Sequence, residues 1–353
     1  MLATPRFDQL PLQLDRDISA RRSPACVGAW LPWQDVVHTG APFLAPAFFA
    51  LTERHFGGGR PWLVGDVEAV LPLVRQGYAL NALRSDHSPR FDMIGDEAAL
   101  PRIWEALKAD DSWRVLALDG VAETSVLATV LPELARSAGC RVAVQPSSRS
   151  PYFALDGFEE RLDKEFRRQL RKRAKKIEDL SFERITTYDA GAVQDLFRLE
   201  SSGWKEGEGT SIASSSATMV FYADLIAELA RTGQLSLCFL KSGDKRIAVQ
   251  LAAEDDRTCY LLKTGYDPEY RNLGAGHLVI YHFALDARER GKQVVDLCGT
   301  ECDAKACWTD LAQQRVNIRV YRGALGAVEY VARHVVRPQL GKLRRALRSH
   351  SQG

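Results

Sequence analysis

The chain has 353 residues, a formal net charge of +2 and 26% charged residues, the profile of a globular protein rather than a disordered one. That length exceeds one ordinary core and predicts two domains. No apolar run reaches the ~18 residues of a membrane span, which excludes a helical membrane protein.

The opening "MLATPRFDQLPLQLDRDIS" has no basic start followed by an apolar stretch, so no signal peptide is expected. In the first half, "AVLPLV" (69–74) and "RVLALDG" (114–120) read as strands. "KEFRRQLRKRAKK" (164–176) sets eight Lys/Arg against one Glu. Its apolar positions Phe166, Leu170, Ala174 and Ile177 fall on one helical stripe, leaving a basic face outward. "SFERITTYD" (181–189) reads as a strand, and helices are expected at about 190–202 and 216–232.

Next, "QLSLCFLKSGDKRIAVQLAAEDDRTCYLLKTGY" (234–266) divides into three strands at the turn signals Ser-Gly-Asp and Glu-Asp-Asp. Arg271-Asn272-Leu273-Gly274-Ala275-Gly276 follows, and "HLVIYHFALDARERG" has helical periodicity with Gly291 as its stop. "QVVDLCGT" (293–300) is a short strand, "DAKACWTDLAQQ" a helix and "RVNIRVYR" a last strand; the basic "LGKLRRALRSH" near the end reads as an amphipathic helix. Seven scattered cysteines predict reduced thiols and a cytoplasmic setting. The spacing C-x3-C-x4-C at Cys298, Cys302 and Cys307 does not fit zinc, so no metal is expected.

The two halves repeat. One gap-free displacement carries Ala69 to Ala248, Pro89 to Pro268, Val115 to Val294 and Gly120 to Gly299. The same displacement sets Gly95-Asp96-Glu97 against Gly274-Ala275-Gly276. Glycines between a strand and a helix permit positive φ and leave the first helical N–H groups open to a phosphate. Two carboxylates at the same place repel one, so only the second half is expected to bind an anion.

The element order around R-x-x-G-x-G resembles the GNAT acyltransferase superfamily. "LESSGWKEGEGTSI" (199–212), "YDPEYRNLGAGHLVIYHFALDARERG" and "VVDLCGTECDAKACW" are similar to its FemAB-like branch, which holds two GNAT domains in one chain. Gly203-Trp204-Lys205 and the pattern Asp296, Gly299, Lys305, Trp308 carry the likeness. The resemblance implies an α/β fold of two tandem GNAT-like domains, each a mixed, mostly antiparallel sheet flanked by helices. The expected division is 1–155, a basic helix at 156–180, 181–327 with the donor loop, and a basic C-terminal helix at 328–353. It also implies acyl-CoA as co-substrate, held by residues 271–276, with no permanently bound cofactor. An amine is the expected acceptor.

Acyl transfer to an amine needs a group that takes a proton. Asp296, in an otherwise apolar strand, and Glu200, at a helix end, are the candidates; each also has a structural reading as a paired or solvated carboxylate. A tyrosine usual in such enzymes is absent from 303–312, so Lys305 is the expected donor to the leaving thiolate. Trp204, Lys205, Lys263 and Trp308 are candidates to contact substrate, while His277 and His282 read as packing residues. The alternatives are a Fem-like aminoacyl-tRNA-dependent transferase and a non-catalytic binding module. The glycine loop argues against an RNA donor, and the basic face suggests peripheral contact with an anionic membrane.

Overall fold

The computed structural model describes residues 33, 36, 40–66, 68–202, 212 and 215–336. Its strands, in chain order, are β1 (Arg60–Gly65), β2 (Ala69–Gln76), β3 (Ala79–Ala82), β4 (Ile94–Gly95), β5 (Val115–Ala122), β6 (Arg141–Ala154), β7 (Leu180–Ile185), β8 (Leu235–Ser242), β9 (Lys245–Glu254), β10 (Thr258–Tyr266), β11 (Val294–Asp296) and β12 (Ala312–Tyr321). They fall into two compact units that do not follow the chain. One holds Thr39–Phe56 and Arg149–Gln313; the other holds Gly57–Ser148 and the segment from Gln314.

In the later unit the sheet runs β6, β11, β10, β9, β8, β7. Strands β8 and β9 read as near-continuous apolar runs because both faces are covered. Helices Ala190–Ser201 and Ser216–Arg231 bury Leu196, Phe197, Phe221 and Leu225 on one face. Helix Ala275–Glu289 packs Leu278, Val279 and Phe283 on the other, with helix Lys164–Ala174 beside it. Each such Leu or Phe removed from water contributes about 1.5–3 kcal/mol.

The other unit runs β1, β2, β3, β5, β12, with β4 on β2. The repeat in the sequence is visible in its register. Leu73↔Ala82 and Val74↔Asn81 join β2 to β3; Ala252↔Leu261 and Ala253↔Tyr260 join β9 to β10. Likewise Ala79↔Val115 begins the parallel pairing of β3 with β5, and Thr258↔Val294 begins that of β10 with β11. The displacement read from the sequence maps each pair onto its counterpart. Gly120 and Gly299 share positive φ, 70° and 60°, as do Gly95 and Gly274, 92° and 66°.

Each unit takes its last strand from the other half of the sequence. The end of β6 pairs with β11 through Val294↔Ala154, and β12 pairs with β5 through Tyr321↔Val115. Boundaries drawn at 155, 181 and 327 follow the chain, whereas the compact units cross it twice.

Candidate active site

Three features of the later unit build the site. First, β10 and β11 pair only from Thr258↔Val294 to Tyr260↔Asp296; beyond that β10 continues to Tyr266 without β11. A bulge at Leu262 shifts the register between Leu261 and Lys263. Bulges re-aim side chains and leave ladder groups unpaired. Buried Gln250 answers this one: its Nε2 donates to the carbonyls of Leu251 (2.9 Å) and Lys263 (3.1 Å), and Thr264 Oγ1 donates to its Oε1 (2.6 Å).

Second, Pro268–Leu273 makes a tight turn, Gly274 adopts the left-handed conformation, and Ala275 opens a helix that no side chain caps. Gly274 needs glycine for its φ of +66°. Gly276 has a different reason. A Cβ there would stand 3.0 Å from Tyr266 Cδ1, so its missing side chain makes room for that ring. Arg271 and Asn272 are exposed, Leu273 is half-buried and Ala275 is buried.

Above this turn stands Arg173, at the end of the Lys164–Ala174 helix. Its Nη1 lies 2.8 Å from where a Gly274 Cβ would be. A cation at the positive end of a helix is unfavourable unless an anion joins them. Among the described residues no ion pair holds Arg173. Its charge also reaches His277, whose pKa is lowered by burial first and by Arg173 second. The first half differs at the matching turn: Asp96 Oδ1 accepts from the N–H of Ala98 (2.9 Å) and caps the short 3-10 turn Glu97–Ala99 that leads into helix Leu100–Ala109.

Third, a buried polar cluster adjoins the point where β10 and β11 part. Gly265 lets helix Ala190–Ser201 pack directly on β10, since a Cβ there would lie 2.5 Å from Glu200 Cα. That closeness sets Glu200 Oε1 3.6 Å from Lys263 Nζ, while its Oε2 accepts the N–H of Ile212 (2.7 Å). Lys263 Nζ lies 5.2 Å from the centre of the Tyr222 ring. Burial raises the Tyr222 pKa, and the charges of Glu200 and Cys298 raise it further, so the phenol stays protonated. The structure thus brings Glu200 and Lys263 together.

The pattern Asp296, Gly299, Lys305, Trp308 assembles around a single turn after β11. Asp296 Oδ1 accepts from the N–H of Cys298 (2.8 Å) and from Ser150 Oγ (3.2 Å), holding Cys298 at a φ of +52°. Lys305 Nζ donates to the carbonyls of Cys298 and Thr300. Trp308, 4% exposed, stacks on Phe153 with ring centres 5.8 Å apart; it is part of the core and not the wall of an open pocket. His277 and His282 are packed as expected, against Trp308 and Phe182 respectively. Trp204 and Lys205 lie outside the described residues.

Residues 164–306 match the family model described as the acetyltransferase (GNAT) domain. This stretch is a GNAT domain. The chemistry that the family model describes is acyl transfer. No curated protein matches the chain. Solved structures share the fold across both units. FemX is 12% identical with a TM-score of 0.55, over 80% of this chain and 92% of its own. L-PGS from Bacillus licheniformis is 12% identical at 0.51, over 80% and 90%. A C-terminal domain assigned to a lysylphosphatidylglycerol synthetase of Agrobacterium fabrum is 16% identical at 0.54, over 80% and 90%.

Sequence reasoning missed Arg173, Tyr222, Gly265 and Tyr266 around the GNAT domain's site. Arg173 was legible only as one charge among eight in a basic run. Gly265, one residue from Tyr266 in "KTGY", is a glycine inside a strand, which signals close backbone approach.

Proposed function

We propose that the chain transfers an acyl group from acyl-CoA to an amine. The observation that carries this reading is the uncapped helix at Ala275, faced by Arg173 and reached where β10 leaves β11. The matching 3-10 turn in the first half, Glu97–Ala99, is capped by Asp96. The diphosphate of coenzyme A would accept from the N–H groups of Ala275 and Gly276 and from Arg173, with exposed Arg271 at the rim. The pantetheine arm would run along Lys263–Tyr266, where β10 has no β11 partner.

In the reaction the amine nitrogen attacks the thioester carbonyl carbon. The C–N bond forms, the C–S bond breaks, and the nitrogen's proton moves to Glu200, directly or through one water. Glu200 is preferred to Asp296 because it lies against the stretch of β10 that has no β11 partner, whereas the contacts of Asp296 close the Cys298 turn. Lys305 is assigned to the same turn, because its ammonium binds two carbonyls there. Tyr222, a buried phenol that keeps its proton, would donate a hydrogen bond to the leaving thiolate, which departs as the anion and takes its proton from solvent. Trp204 and Lys205, which follow Glu200 in the sequence, are assigned to acceptor contact. The acceptor class covers amino sugars, amino acids, sphingoid bases and amine-bearing polysaccharide or lipid precursors.

The test is calorimetric titration with acyl-CoAs of rising chain length, followed by thiol release in the presence of amines. Binding of coenzyme A with amine-dependent thiol release is the expected result; no binding by any thioester overturns the reading. The FemAB-like motifs at Gly203–Lys205 and Asp296–Trp308 suggest a second donor, an aminoacyl-tRNA. Activity abolished by ribonuclease and indifferent to coenzyme A would establish that donor instead.

A further inference from the structure

The strongest unexplained surface lies on the last described helix, far in sequence from the donor loop. Helix Gly323–Val331 continues through a wider turn, Ala332–Val336. One side packs inward. Gly326 is buried, where a Cβ would meet the Tyr321 backbone at 3.1 Å and the Arg114 carbonyl at 3.3 Å. Tyr330 sits edge-on to Tyr321, and the Tyr321 hydroxyl bonds His334 Nε2 at 2.9 Å. The other side carries Leu325 (59% exposed), Val328 (66%), Val331 (47%), Val335 (43%) and Val336 (44%).

Nine large hydrophobic residues are exposed among the described residues, and these are five of them, within twelve positions. The spacing of three, three and four from Leu325 to Val335 places four of them on one stripe, with Val336 at its end. A concentration of this kind marks an interaction surface rather than ordinary scattered exposure. Only the Glu329–Arg333 pair, 2.8 Å apart, adds a carboxylate to this helix.

The sequence that follows states the partner's charge. From 337 to 350 it reads "RPQLGKLRRALRSH", with Arg337, Lys342, Arg344, Arg345 and Arg348 and no acidic residue. An apolar stripe continued by five cations of one sign complements an apolar layer beneath anionic headgroups. A second copy of the chain fits worse, because its stripe is followed by the same cations and offers no anions to these five. The basic helix Lys164–Ala174 is a poorer lipid face than its composition suggests. Arg168 is held by Glu165 (2.7 Å), Arg171 by Glu159 (3.2 Å), and Arg167 by the Glu159 carbonyl (2.9 Å).

We infer that the Leu325–Val336 face docks the chain on an anionic phospholipid surface. It lies on the bilayer and does not cross it: among the described residues no helix is long and apolar enough to span one. This inference is independent of the donor reading, since vesicle binding and coenzyme A binding are measured separately.

The experiment is co-sedimentation of the full chain with vesicles of phosphatidylcholine alone and of phosphatidylcholine with one-third phosphatidylglycerol. Pelleting with the anionic vesicles, weakened by salt, is expected. Val328→Asp with Val331→Asp should lower that partition by about tenfold or more, as should Arg344→Glu with Arg345→Glu. Both valines are exposed, so melting temperature and coenzyme A affinity should match the parent. Equal pelleting on neutral vesicles, or none on anionic ones, overturns the inference. So does a chain that is dimeric by light scattering, becomes monomeric in the valine variant and ignores vesicles; it would make the stripe a self-association face.

Discussion

Arg173→Gln separates a ligand site from a structural contact, because the two predict opposite signs. With the site empty, the guanidinium faces the positive end of the Ala275–Glu289 helix across 2.8 Å from a Gly274 Cβ position. Removing an unfavourable charge of that kind should raise stability by about 0.3–1 kcal/mol. With a diphosphate bound, the same guanidinium contributes a charge-assisted hydrogen bond of about 1.5–3 kcal/mol. Its loss should weaken coenzyme A by roughly ten- to a hundredfold. Thermal unfolding without ligand and calorimetry with coenzyme A read the two terms on the same protein. A variant that melts later and binds worse fits the argument. One that melts earlier, or binds coenzyme A as tightly as the parent, refutes it.

Coenzyme A should bind once per chain, because Asp96 caps the first-half turn Glu97–Ala99 and puts a carboxylate where the phosphate would sit; a calorimetric stoichiometry of two would show that unit to be competent as well. Gly276→Val should cost about 1–3 kcal/mol by overpacking Tyr266, and adding Tyr266→Ala should restore most of the melting temperature; no rescue would mean that the ring is not what the side chain meets. Glu200→Gln should lower kcat by about 10²–10⁴-fold, and in the Glu200→Gln, Lys263→Met double variant stability should recover while turnover does not. Recovery of turnover with stability would reduce the pair to a structural one. Burial lowers the pKa of both His277 and His282 below the ordinary 6.5, so the unfolded chain binds more protons than the folded one as pH falls below that value. Their contribution to stability is therefore complete above pH 6.5 and is lost on acidification; a melting temperature that rises as pH drops through this window contradicts the assignment.

Much of the fold was legible because both of its signals are local or periodic. Apolar runs of fixed spacing gave the strands, and a constant displacement anticipated a strand register that recurs pair for pair, as at Val74↔Asn81 and Ala253↔Tyr260. The site was legible where backbone conformation dictates residue type, as at Gly274. It was illegible where distant segments meet. Nothing in "RKRAKK" distinguishes Arg173 from its neighbours until the helix is laid against the glycine turn. The motif residues Asp296, Lys305 and Trp308 looked chemical because such residue types are expensive inside a protein. The structure shows two of them occupied in fastening one turn and the third in filling the core.

The exchange of final strands carries a consequence for biosynthesis. When β5 leaves the ribosome, the strand that completes its edge, β12, is still nearly two hundred codons away. At about 5–20 residues per second that is a wait of roughly ten to forty seconds. Throughout it the nascent first-half sheet presents an unpaired edge of the kind that recruits other strands. The first unit made is thus the last one finished. Truncation anywhere before Tyr321 should therefore damage the half of the protein that was translated first.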